Sequence, residues 1–64
     1  MKIDKRKLDI AMARAQLNRG DLAKKAGMSV QALCNVMQRK NCRPGTIGKI
    51  ADALGVDVTE IIED

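Results

Sequence analysis

The sequence predicts an all-α domain built from five helices. Three observations carry that expectation. Apolar residues recur at i, i+3, i+4 and i+7, capping residues and stop glycines bracket those segments, and valine and isoleucine nowhere alternate with polar residues over a strand's length. Hairpin dipeptides are also absent. With 64 residues the chain is expected to form a single domain over 1–64. A chain this short buries only about 60% of the surface it exposes when unfolded, so its core has to be closely patterned.

Each element has its own start and stop signals. Asp4 caps a first helix that runs to about residue 16, with Leu8, Ala11, Met12 and Ala15 along one face. Leu17 closes it. Asn18 caps a second helix, roughly 19–26, with Asp21 in its first turn and Leu22, Ala23 and Ala26 facing inward. Gly27 stops it, because glycine accepts the left-handed conformation. Met28 turns inward and Ser29 caps a third helix, roughly 30–38. At about 100° per residue, Leu33, Val36 and Met37 share one arc, and Gln31, Asn35 and Gln38 share the opposite one. A basic loop, Arg39-Lys40-Asn41-Cys42-Arg43, follows. Pro44 opens the fourth helix, Ile47, Ile50, Ala51 and Leu54 line its core face, and Gly55 ends it. Asp57 caps a short fifth helix with Glu60 three residues on, and Ile61 and Ile62 finish it.

Charge is distributed unevenly. Residues 1–44 carry eleven Lys/Arg against three Asp/Glu, a balance of +8, while residues 45–64 carry one Lys against five acids, a balance of −4. A basic front and an acidic back suit a polyanion on one side.

Several function classes are disfavoured. Without histidine there is no Ser/His/Asp or Cys/His arrangement, and there is no phosphate-cradling glycine loop, so the expectation is that the chain is not an enzyme. Cys34 and Cys42 are too few for a zinc site and read as two free thiols; no cofactor or metal is expected. The lack of any aromatic residue argues against single-stranded nucleic acid or sequence-specific RNA, whose bases stack on rings. No apolar run approaches the roughly 20 residues that span a bilayer. The basic start is not followed by an unbroken apolar segment, so a signal peptide is not indicated and a cytoplasmic protein is expected.

The central segment, Leu22-Ala23-Lys24-Lys25-Ala26-Gly27-Met28-Ser29-Val30-Gln31-Ala32-Leu33, reads as helix, tight glycine turn, capped helix. Two helices so joined, the second with a polar face, make a helix-turn-helix unit, here over about 19–38. With Leu17-Asn18-Arg19-Gly20-Asp21-Leu22-Ala23, Ala26-Gly27-Met28-Ser29 and Ile50-Ala51-Asp52-Ala53-Leu54-Gly55-Val56, the chain resembles the phage repressor and Cro family, the xenobiotic-response-element-type regulators. The resemblance covers nearly the whole chain. It implies a compact five-helix, lambda-repressor-like domain that binds double-stranded DNA as a homodimer on a palindromic operator and controls transcription. Since 64 residues leave no room for a second domain, a Cro-like repressor with no small-molecule ligand is expected, and no membrane partner. Many members place a buried arginine–glutamate pair where this chain has Met12 and Met37; with both ends apolar no charge is stranded, and the two methionines read as core fillers.

The second helix of the unit enters the major groove. Gln31 and Asn35 are the base-reading candidates, because carboxamides pair with adenine N6 and N7. Val30 and Ala32 could meet a thymine methyl. By the family resemblance Arg19 lies beside a phosphate, and Asn18, at the same helix start, can approach one. Ser29, Gln38, Arg39, Lys40 and Arg43 complete the phosphate candidates. Lys24 and Lys25 read as solvated, and Cys34 borders the polar face. Val58 and Ile62 are the candidate dimer contacts, Ile61 being assigned to the domain's own core. The alternative is a protein-interaction module, an antitoxin or adaptor subunit, that keeps this fold. A membrane-surface peptide is disfavoured by the acidic last third.

Overall fold

The structure, a computed structural model, describes residues 1–38 and 42–63. Four α-helices, α1 (Lys5–Ala15), α2 (Arg19–Ala26), α3 (Val30–Gln38) and α4 (Pro44–Leu54), are followed by a short 3₁₀ turn, Val58–Glu60. The first three helices begin where a short polar side chain turns back onto the backbone. Asp4 accepts from the Lys7 amide at 3.1 Å, Asn18 from the Asp21 amide at 2.8 Å and Ser29 from the Ala32 amide at 3.0 Å. Each bond satisfies one of the amides that a helix start leaves without an intrahelical partner. Helix α4 has no side-chain cap; Pro44 at its first position has no amide to satisfy.

The stops are left-handed residues. Gly27 (φ 72°) and Gly55 (φ 71°) end α2 and α4, and each donates its amide to carbonyls of the preceding turn. Helix α1 ends in the same conformation at Gln16 (φ 57°), the one non-glycine residue with positive φ among the described residues. A side chain in that region strains the backbone by roughly 1–2 kcal/mol. Gln16→Gly is therefore expected to stabilise the domain by about 0.5–1 kcal/mol, part of the relief being offset by the freer unfolded chain. Thermal unfolding should register a rise of several degrees; a lower melting temperature would show that the glutamine side chain contributes more than the strain removes.

One core holds the helices together. Leu8, Leu22, Leu33, Ile47, Ile50 and Ile61 are fully buried, and no polar or charged residue is buried among the described residues. Met12 and Met37 both lie in that cluster, as the reading of them as core fillers requires. Helix α4 packs most extensively against α2, which also meets α3, so α3 is braced along its apolar arc with the other arc left outward.

The expected fifth helix is corrected: it is a three-residue 3₁₀ turn. Its start is as anticipated, a reciprocal capping box in which Asp57 accepts from the Thr59 amide at 2.9 Å and Glu60 accepts from the Asp57 amide at 3.1 Å. Bonds from the Thr59 amide and hydroxyl hold the exposed Asp57 carboxyl below its usual pKa. What ends the turn is a long-range contact. Ile3 and Ile62 pair as an antiparallel bridge, with the Asp4 amide donating to the Ile61 carbonyl and the Glu63 amide to the Lys2 carbonyl, both at 2.9 Å. Ile61 (φ −125°) has left helical geometry to make this pairing. Residues 61–63 are thus claimed by the chain's first residues before an α-helix can develop.

Candidate nucleic-acid interface

Helix α3 carries the site. Leu33, Val36 and Met37 anchor one side, which fixes the rotation of the helix and leaves Gln31, Asn35 and Gln38 exposed on the other. Gln31 and Asn35 touch: Gln31 Nε2 donates to Asn35 Oδ1 at 3.4 Å. That bond leaves the Asn35 amide hydrogens and the Gln31 carbonyl uncommitted to each other, a donor and an acceptor of the kinds an adenine edge accepts and offers. Val30, at the first position of α3, is 47% exposed and presents an apolar surface beside the two carboxamides. Ala32 is half-buried on the far flank, the least accessible of the four base-reading candidates.

The phosphate candidates fall into two groups. Asn18, Arg19 and Ser29 are exposed at the starts of α2 and α3. Asn18 Oδ1 and Ser29 Oγ are committed to capping, so the Asn18 amide group and the Ser29 hydroxyl hydrogen are what each has to offer an anion. Arg19 reaches across to α3, with its guanidinium 3.9 Å from Cys34 Sγ. Gln38 and Arg43, both exposed, stand at the end of α3 and just before α4. Arg39 and Lys40 lie outside the described residues. Lys24 and Lys25 are exposed on α2. Both cysteines are free thiols, Cys34 half-exposed beside Arg19 and Cys42 buried, where its Sγ donates to the Val36 carbonyl at 3.3 Å.

The two dimer candidates differ in their surroundings. Val58 is half-buried at the start of the terminal turn. Ile62 is half-buried opposite Ile3, and both Val58 and Ile62 pack against the core, so each serves the fold whatever else it touches. Ile61 is fully buried, as assigned. Among the described residues no group of three or more His, Cys, Asp or Glu is placed to hold a metal ion, and no helix is long and apolar enough to cross a membrane.

Two helices joined at a left-handed glycine, the second braced by the core and polar on its outer arc, define a helix-turn-helix module. The chain belongs to the Cro/C1-type HTH DNA-binding domain family, whose model matches residues 7–64. That family is one of DNA-binding domains. No curated protein matches the sequence. Among solved structures, the chain is similar to PhpD with cadmium atoms, to PhpD with cadmium complexed with hydroethylphosphonate, and to a mutant of hydroxyethylphosphonate dioxygenase. Each is 25% identical with a TM-score of 0.82, and each match covers 100% of this chain but 14% of the other. The likeness is therefore to a small part of those proteins.

Proposed function

We propose that this chain is a sequence-specific, Cro-like repressor that acts in the cytoplasm as a homodimer on a palindromic operator, without catalysis of its own and without a small-molecule ligand. The observation that carries the reading is the outer arc of α3, where Gln31 and Asn35 stand exposed and joined at 3.4 Å on a helix whose other arc is locked in the core. A carboxamide pair held outward in this way is suited to base edges, since Asn and Gln side chains pair with adenine N6 and N7. One such helix reads only a few base pairs, so useful specificity calls for two copies, with half-sites about one helical turn, roughly 34–36 Å, apart. Val58 and Ile62 are the interface candidates, both half-buried and packed in part against the core.

Selection of bound sequences from a random duplex library tests the proposal. The expected product is an inverted repeat bound with an affinity that falls linearly in log–log form with salt. Enrichment of a single half-site would remove the dimer from the proposal. No enrichment, with weak duplex affinity, would overturn sequence reading and favour an adaptor that binds protein instead.

A further inference from the structure

A cleft outside the reading face points to a further DNA contact. Its walls are the first turn of α1 and the last turn of α3, and Lys2, Lys5 and Arg6 share its lining with Met37 and Gln38. The two acids in its lining are engaged: Asp4 caps α1, and Glu63 pairs with Lys2 at 3.6 Å. Lys7, the next cation along, turns away to donate to the Ile62 carbonyl at 3.1 Å. Lys5 and Arg6 are exposed and have no partner among the described residues.

Their position is unfavourable for the isolated domain. Lys5, Arg6 and Lys7 fill the first three positions of α1, and its first turn contains no acid. Cations there face the positive end of the helix macrodipole, where an acid would be stabilising. An anion brought to this turn would meet two free cations, the helix start itself being capped already by Asp4. The geometry also says which anion. Recognition helices meet base edges through their N-terminal residues, so the opposite end of α3 emerges toward the sugar–phosphate backbone. Gln38 ends α3 on the arc shared with Gln31 and Asn35, and Lys5 and Arg6 line the same cleft as Gln38.

We propose that Lys5 and Arg6 form a phosphate contact that grips the duplex backbone where the end of α3 leaves the groove. The inference rests on the DNA-binding reading above and extends the footprint to an element outside the helix-turn-helix unit. The contact sets affinity and orientation, not base preference.

The test compares the parent chain with the Lys5→Gln, Arg6→Gln double variant on the selected duplex and on a scrambled one. Each phosphate contact contributes about 0.9 to the log–log salt slope, so the double variant should lose about 1.8. Between 50 and 200 mM salt, the parent's affinity should therefore fall about 12-fold further than the variant's. Base preference should be unchanged, and the melting temperature equal or higher, because two cations have left the positive end of α1. An unchanged slope with a steep parent slope would overturn the contact while leaving DNA binding intact. A shallow parent slope would overturn both readings. Weakened binding together with a lower melting temperature would assign the two residues to the fold and overturn the contact.

Discussion

Leu22→Ala is expected to leave the chain largely unfolded at room temperature. Leu22 is completely buried in α2, the helix that packs against both α3 and α4. Truncating a fully buried leucine destabilises by about 2–5 kcal/mol, since the removed methyls lose their burial and the cavity closes only in part. A core of this size rarely supplies more than about 3–5 kcal/mol. The loss at one position is therefore comparable with the whole stability of the domain. Leu22→Met nearly conserves volume and should cost less than about 1.5 kcal/mol. The neighbouring Lys24 is exposed, and Lys24→Ala should stay within about 0.5 kcal/mol of the parent. Far-UV circular dichroism through a thermal melt suits a chain without aromatic residues. A Leu22→Ala variant melting within a few degrees of the parent would show that the α2–α4 contact is not what holds the fold.

The way that core is specified explains how much the sequence discloses. Asp4, Asn18 and Ser29 mark helix starts legibly because each cap bonds an amide only three residues away. The glycine turn is legible for the same reason: the left-handed conformation at Gly27 is a local requirement. The apolar arc of α3 follows from helical periodicity, and with it the opposite arc that carries Gln31 and Asn35. What the sequence hides depends on distance along the chain. The Ile3–Ile62 bridge joins residues from the two ends, each in a segment too short to show strand alternation. It truncates the terminal helix even though the capping box that starts it is visible. Gln16 is hidden differently, because a polar residue in a left-handed stop carries none of the signal that glycine would. That Lys5 and Arg6 share a cleft with Gln38 depends on where α1 and the end of α3 are placed, a matter of tertiary packing. On sequence alone those cations are part of a basic segment with no address.

The second large effect concerns the reading face. Asn35→Ala is expected to weaken binding to the selected duplex by about 1–3 kcal/mol, between roughly fivefold and more than a hundredfold. The loss should appear on the selected sequence alone, since binding to scrambled duplexes rests on phosphate charge that the substitution leaves in place. Preference should relax at the base pair that Asn35 meets and persist elsewhere. Gln31→Ala should behave similarly at a neighbouring base pair. The two are not independent, because the 3.4 Å bond from Gln31 Nε2 to Asn35 Oδ1 orients both carboxamides. Removing either partner frees the other to rotate, so the double variant should lose less than the sum of the single losses, as contacting residues do in a double-mutant cycle. Both side chains are exposed and neither belongs to the core, so the melting temperature should move little. Binding of all three variants to the selected duplex and its point variants, measured at one fixed salt concentration, decides the matter. Strict additivity would separate the two residues as independent readers. Equal affinity of parent and Asn35→Ala across the whole panel would remove Asn35 from the reading face and leave recognition to Gln31, Val30 and the shape of the duplex.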